Sequence, residues 1–407
     1  MKLSDELKWR GFAYQHTLDP AELDKRKFVF YWGVDPSADS MTIGNLSTAM
    51  MIKHFIAHGH KPVLLIGGAT GLIGDPDGKS AERQLISENQ LRNNIEVITK
   101  QFDQIFAGEK YEVVNNYGWF KNIKFIDFLR QYGKHVPMRQ MLARDFVQTR
   151  LGKDGTGISY AEFSYALIQA YDFLHLFKTK NATLQVCGSD QWGNSIAGVE
   201  LIRRVTGGEA HVWTSPLVVD EATGQKFGKS EEGAIWLDPD KTGVYQFYQF
   251  WLNVDDKSAE NYLKIYTLLP RDEITKILTE FNKDKASRLA QKTLAYDVTA
   301  LVHGKKQAQS VKKASDVLFG KGRFSGLDSS EVEILKQELP VVKSTGKLAH
   351  TMVKAGLAVS NSDAMRLIHA GSISLNDSKI SDETGVKLVK GSNLLRRGKN
   401  SFAIVEA

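Results

Sequence analysis

Between residues 28 and 226, short apolar runs alternate with stretches whose apolar residues recur every three or four positions. The runs at 28–32, 62–66, 113–114 and 183–186 have the length and β-branched or aromatic content of buried strands, whereas 46–58, 89–106, 125–132 and a stretch from about Asn194 carry helical periodicity. Strands separated by helices at this spacing predict parallel βαβ units, whose ligands sit outside the carboxyl ends of the strands. After Pro239 the pattern changes to consecutive helical blocks at 244–252, 259–268, 271–281, 286–302 and 306–319, with Gly304 and Gly320 as stops and Pro270 at a start. Residues 326–338 read as a polar connector, with Pro340 as a boundary. Beyond it, 347–355 and 362–370 are short helices, Gly371 suits a C-cap, and Ile373 and Leu375 alternate before an Asn-Asp turn.

A chain of 407 residues should divide into two or three domains, because single cores rarely grow past roughly 250–300 residues. Its 42% hydrophobic and 25% charged content is that of a globular protein. No window approaches the roughly 20 apolar residues of a membrane span, and the first residues lack a secretory core, so the expected location is cytoplasmic. The single cysteine, Cys187, supports neither a disulfide framework nor a thiolate metal site. The net charge of +6 is unevenly spread: residues 341–407 hold ten basic and five acidic side chains, while the other 340 residues are nearly balanced. A basic tail on a neutral body points to a polyanion, most often nucleic acid.

Five stretches carry candidate chemistry. The strand-to-helix turn at 31–46 places Gly33, Asp35, Thr42, Gly44 and Asn45 where a bare backbone and the unpaired amides of a first helical turn can meet a phosphate. The glycine-rich loop from Gly67 to Gly74 leads to Asp75 and then to Gly78, Lys79, Ser80 and Arg83; it is not a Walker A loop, because the position five before Gly78 is Ile73. Tyr165, Gln169 and Asp172, at i, i+4 and i+7, share one face of a helix packed through Phe163, Leu167, Ile168 and Phe173. That stripe is either a solvated face or the wall of a polar pocket. Gly188, Asp190 and Gln191 follow the run at 183–186, and a carboxylate such as Asp190, which only accepts, suits a ribose diol. Lys226, Gly228, Lys229 and Ser230 form a lysine-rich turn, a pattern more often surface than site when it stands alone.

Together and in this order the stretches resemble the bacterial-type tyrosyl-tRNA synthetases, class I enzymes with a C-terminal S4 domain. The resemblance runs from about residue 3 to 407. It implies an α/β, Rossmann-like parallel-sheet catalytic domain at 1–238 with a dimerisation insertion at about 115–160, an all-α anticodon-recognition domain at 239–325, a linker at 326–340, and a small α+β S4 RNA-binding domain at 341–407. Asp363, Arg366, Leu367, Ile368 and Gly371 followed by Ser374, Leu375 and Asn376 carry the S4 part.

The activity so implied is tyrosine–tRNA ligation: L-tyrosine and ATP give tyrosyl-adenylate and pyrophosphate, and tyrosine then passes to the 3′ end of tRNA(Tyr). Mg2+ would accompany the ATP, with no protein-held metal. By resemblance Tyr31 and Asp172 would bind the substrate phenol, Asp75, Tyr165 and Gln169 its ammonium, and Gln191 its carboxyl region. Gly33, Asp35, Gly44, Gly188, Asp190 and Lys229 would bind ATP. Thr42, Asn45, Lys226, Lys229, Ser230, Lys79 and Arg83 would stabilise charge developing on the phosphates. The implied assembly is a homodimer through about 125–147, with no membrane or DNA partner. The sequence departs from the family's usual pattern at Thr42 and Asn45, where histidines are usual, at Trp32, where a small residue is usual, and at Cys187, where glycine is usual. A catalytically inactive paralogue that keeps tyrosine or RNA binding is the alternative these departures leave open.

Overall fold

Apolar side chains on both faces of a strand require cover on both sides, and the central strand of this protein has it. In the computed structural model, which describes all residues except 77–85, 143–144, 154, 220–228, 231–232, 383–385 and 387, β1 (Val29–Val34) turns Phe30 toward Phe55, Trp32 toward Phe102 and Tyr31 toward Phe173. The first two rings belong to helices Ile43–Ala57 and Glu88–Ile105, the third to helix Tyr160–Lys180. Helices therefore pack both faces of the sheet, as near-continuous apolar strands demand.

The chain forms two units: Met1–Thr242 with Asp255–Ala290, and Gly243–Val254 with Gln291–Ala407. The first is built on a parallel sheet of order β3-β2-β1-β4-β5, where β2 is Lys61–Ile66, β3 Glu112–Asn115, β4 Ala182–Gly188 and β5 His211–Ser215. The chain runs from β1 outward to β3, then crosses to the other side of β1 for β4. The order reverses at β1 and β4, and ligands of a doubly wound sheet sit at the carboxyl ends of the strands at such a point. Register places Tyr31 beside both Val63 and Gln185. Helices Tyr160–Lys180 and Trp192–Thr206 approach closely because Gly198 faces Phe173; a Cβ there would stand 2.9 Å from the ring.

β5 and the N-terminal helix Leu3–Arg10 had no clear sequence signal. β5 is paired along its outer edge by residues 14–17, through hydrogen bonds to Val212 and Thr214. The buried Arg10 donates to the carbonyls of Lys264, Thr267 and Leu269 at the end of helix Asp256–Tyr266. The helical stretch at 239–325 is thus shared: Asp256–Tyr266 and Arg271–Lys283 belong to the first unit, Val244–Leu252 and Lys305–Phe319 to the second.

The stretch at 326–340 departs from its reading as a connector, since most of it is helix Ser329–Glu338. Asp328 accepts from the Ser330 and Glu331 amides, Glu331 reaches back to the Asp328 amide, and Leu335 is buried. A capping box and a buried apolar position outweigh a polar composition.

Two short antiparallel strands, β6 (Lys229–Ser230) and β7 (Gly233–Ala234), stand apart from the main sheet. The second unit ends in a mixed sheet of order β10-β9-β11-β12-β8, with β8 Val341–Lys343, β9 Ile373–Leu375, β10 Ser378–Ile380, β11 Ser392–Arg397 and β12 Ser401–Glu406. Helices Leu348–Lys354 and Asn361–His369 cover it through Met352, Ala364 and Ile368. Asn376 and Asp377 take positive φ of 43° and 50° in the β9–β10 turn, the conformation that tight hairpins need and that Asn and Asp tolerate. This is the small α+β fold that the S4 resemblance implies.

Candidate active site

The candidate site gathers at the carboxyl ends of β1 and β4. Tyr31 is 2% exposed, and its hydroxyl has no hydrogen-bond partner. Burial, with the Asp172 charge next, pushes that hydroxyl well above the ordinary tyrosine range. Asp172 accepts from Asn116 Nδ2 at 3.0 Å and from Trp119 Nε1 at 2.8 Å. Burial pushes the Asp172 carboxyl up to about 8, and the two hydrogen bonds work against burial. Two N–H donors that cannot accept suit the ionised carboxylate, which leaves lone pairs for a third donor.

Two turns toward the helix start, the Tyr165 hydroxyl donates to Asp35 Oδ2 at 2.6 Å, while Thr70 Oγ1 donates to Asp35 Oδ1 at 2.6 Å. Asn116 ties the network together: it is fully buried, accepts from the Ala69 amide at 2.6 Å and donates to Thr70 at 3.1 Å as well as to Asp172. Gly67 is required here, because a Cβ would fall onto the Asp35 carboxylate and the Thr70 hydroxyl. Burial first, then the charges of Asp35 and Asp75, raise Tyr165 well above its ordinary range. Three carboxylates, Asp35, Asp75 and Asp172, thus act on one hydroxyl, a field that suits a ligand cation. Gln169 adds a buried Oε1 without a partner, as does Gln185, the β4 register neighbour of Tyr31. Asp75 accepts from Gln191 Nε2 at 2.7 Å.

At the phosphate side, Thr42 is the N-cap of helix Ile43–Ala57. Asn45 Oδ1 accepts from the Thr42 amide at 3.0 Å and from its hydroxyl at 3.1 Å, so the Asn45 amide group faces no demand from this cap. Gly44 is exposed at the same turn, and so is Gly33 on β1. Residues 235–237 pair with this turn: the Ile43 amide donates to Ile235 and the Leu237 amide to Met41. The β6–β7 ladder, Lys229 opposite Ala234 and Ser230 opposite Gly233, runs directly into that pairing. The backbone of Lys229 and Ser230 is thereby anchored beside the 31–46 turn, although 185 residues of sequence separate Gly44 from Lys229. Lys79, Arg83 and Lys226 lie outside the described residues.

Asp190 is exposed beyond β4, with its carboxylate folded back over Gly188, where a Cβ would stand 2.6 Å from Oδ1. Trp32 packs into the core against Phe102, ring centroids 5.5 Å apart. Cys187 is buried, 3.4 Å from Ser195 Oγ, and burial pushes its thiol up to about 12.

Asn116, Trp119, Thr70 and Gln185 were missed from sequence. Asn116 stands just past β3, so the rule that ligands gather at carboxyl strand ends could have marked it. Trp119 carries no such signal, because it reaches Asp172 across 53 residues of sequence.

A reversal of strand order with charged side chains and glycines at its mouth, next to a helix N-terminus, is the ligand site of a doubly wound α/β fold, and sequence similarity makes this one a class I aminoacyl-tRNA synthetase. The family model for tRNA synthetases class I (W and Y) matches residues 23–320. A tyrosine–tRNA ligase of Bacteroides fragilis is 42% identical over 430 residues, covering 100% of both chains. A tyrosine–tRNA ligase 2 of Bacillus cereus is 40% identical over 422 residues, again over 100% of both. Among solved structures, a C-terminally truncated mitochondrial tyrosyl-tRNA synthetase of Aspergillus nidulans superposes with a TM-score of 0.71 at 31% identity, covering 78% of this chain and 94% of that one. The chain belongs to the tyrosyl-tRNA synthetase family.

Proposed function

We propose that the protein activates L-tyrosine with ATP and transfers it to the 3′ end of tRNA(Tyr). The observation that carries this reading is the Tyr31 hydroxyl, buried without a partner beside an Asp172 whose protein donors are both N–H groups. An unpaired buried hydroxyl costs about 1–3 kcal/mol. A substrate phenol, able to donate to Asp172 and pair with Tyr31, relieves that cost, whereas a phenylalanine ring does not. The substrate ammonium then falls to Asp75, Tyr165 and Gln169, and the carboxyl region to Gln191.

In the first step the tyrosine carboxylate attacks the α-phosphorus of ATP and pyrophosphate leaves; in the second a terminal tRNA ribose hydroxyl attacks the adenylate carbonyl and AMP leaves. Asp190 takes the ribose, and Gly33, Gly44 and Gly188 let the nucleotide approach the backbone. Asp35 orients Tyr165 and the substrate. Thr42, Asn45, Lys79, Arg83, Lys226, Lys229 and Ser230 offer donors and positive charge to the phosphates, which is electrostatic stabilisation rather than proton transfer. The Thr-Ile-Gly-Asn turn supplies neutral donors in place of the usual histidines, with the Asn45 amide the one its cap leaves available. Among the described residues no three His, Cys, Asp or Glu side chains cluster for a metal. Mg2+ would arrive with the ATP and would neutralise charge on the triphosphate.

The basic second unit would hold tRNA. A homodimer in the cytoplasm is the assembly we favour, supported by exposed apolar side chains at Phe125, Ile126, Met138 and Tyr160.

Tyrosine-dependent ATP–pyrophosphate exchange on purified protein, with phenylalanine and tryptophan as controls, tests the reading. Exchange with tyrosine is expected, with phenylalanine supporting only slow exchange at high concentration and tryptophan none. Absence of exchange while tyrosine still binds in calorimetry would leave an inactive paralogue.

A further inference from the structure

The donors that hold Asp172 are themselves held. The indole of Trp119 lies against the imidazole of His175, ring centroids 4.3 Å apart and planes 19° from parallel. His175 follows Asp172 by three residues on helix Tyr160–Lys180, so the two side chains leave adjacent positions of one helical face. Trp119 comes from the four-residue turn Tyr117–Phe120 and crosses to that face to donate to Asp172 Oδ1 at 2.8 Å. A turn this short gives little rigidity of its own. Asn116 fixes its start through Ala69, Thr70 and Asp172, and the imidazole fixes the plane of the indole. Since an N–H donor weakens steeply when misdirected, the plane decides whether the bond to Asp172 is made.

We propose that His175 is a positioning residue for phenol recognition: by stacking on Trp119 it aims the indole N–H at Asp172 and so sets how strongly the site prefers tyrosine to phenylalanine. This rests on tyrosine being the substrate. Burial, with Lys178 and Lys180 nearby, holds His175 below the ordinary histidine range, so near neutral pH the contact is ring on ring rather than a cation over an indole. A phenyl ring should therefore serve in its place.

The competing reading is plain packing, since Tyr171 also stands 6.1 Å from His175 within a larger aromatic group. The two differ in which substrate suffers. Loose packing would slow reaction with every amino acid, whereas a misaimed Trp119 weakens only the partner of the phenol hydroxyl.

The test is pyrophosphate exchange with tyrosine and with phenylalanine for wild type, His175→Ala, His175→Phe, Trp119→Phe and the double variant. H175A is expected to raise the tyrosine KM about tenfold with kcat within about twofold, from a misdirected and so weakened Trp119–Asp172 hydrogen bond. Its kcat/KM for phenylalanine should stay within about twofold. H175F should restore the wild-type preference, W119F should reproduce the H175A loss, and the double variant should be no worse than W119F alone. Should H175A fail to fold, His175→Leu, which fills space without a stacking face, carries the same expectation. Equal losses with both amino acids, additive losses in the double variant, or no change in H175A would overturn the inference while leaving the proposed function intact. A wild-type protein without tyrosine-dependent exchange would overturn the function, and this inference with it.

Discussion

Tyr31 shows how a single position separates stability from function. Its hydroxyl is buried and unpartnered, so in the ligand-free protein it costs rather than contributes, and Tyr31→Phe should leave the melting temperature unchanged or slightly raised. The same substitution removes a partner of the substrate phenol. A loss of roughly three- to tenfold in kcat/KM for tyrosine is expected from a hydrogen bond worth about 0.5–1.5 kcal/mol, with little change for phenylalanine. Calorimetry and steady-state exchange kinetics check the two halves. A fall in stability equal to the fall in activity would mean that Tyr31 is a core residue only. At this scale the sequence supplied the residue types and left their partners open. The spacing of Tyr165, Gln169 and Asp172 marked one helical face, but nothing local says that Tyr165 meets Asp35, 130 residues away.

Elements are fixed by shorter-range chemistry, and two of them bear on the site. Helix Tyr160–Lys180 starts with a capping box of Ser159 and Glu162, and Glu162 also takes a bidentate ion pair from Arg150 at 2.8 and 3.0 Å, both side chains less than 5% exposed. Arg150→Met would strand a buried carboxylate at a cost of about 3–5 kcal/mol. The expected result is a melting temperature lower by roughly 5–15 °C, largely recovered in the Arg150→Met/Glu162→Leu pair; thermal melts of the three variants decide it.

His60, just before β2, accepts the Phe28 amide at 3.2 Å through Nδ1, stacks on the Phe28 ring, and is pushed down to about 4 chiefly by burial. An unfolded chain takes up that proton near pH 6.5 and the folded one only near 4, so the stabilisation is present above 6.5 and is lost as pH falls through this window. The loss by pH 5 should be on the order of 1 kcal/mol. His60→Asn, which keeps an acceptor but does not titrate, should make the fall in melting temperature from pH 7 to 5 shallower, though not flat. His54, pushed by burial to about 3, still contributes.

At the scale of the molecule, the exposed apolar surface around helix Phe125–Gln131 is the clearest unmet demand. Phe125 and Ile126 are 63% and 69% exposed on helix Phe125–Gln131, with Met138 and Tyr160 at 58% and 66%. Phe125 and Tyr160 line one apolar cavity with Phe120, Ile123 and Leu167, and an exposed apolar patch marks an interface more often than chance. The wild-type protein is expected to sediment as a dimer and Ile126→Asp as a monomer; an unchanged sedimentation coefficient would remove this face from the interface. The two units themselves were legible from sequence in part. The alternation of strands and helices, and its end near Pro239, were plain, but the return of helices Asp256–Tyr266 and Arg271–Lys283 to the first unit was not. Arg10 closes that association through three carbonyls more than 250 residues away.

Sequence alone settled what depends on neighbours along the chain: hydrophobic period chose strand or helix, caps and glycines placed the ends, and motif residues fell at the carboxyl ends of strands because βαβ units put them there. Short strands such as β5 and β8 escaped it, since three to five residues carry too little periodicity to stand out. The tertiary structure alone decided which side chains meet. The hold of Asn116 and Trp119 on Asp172, of Tyr165 on Asp35, and the pairing of residues 235–237 with 41–43 all join positions more than 50 apart. Such contacts are set by sheet register and helix packing, which sum many weak preferences over the whole unit and leave no mark at any single position.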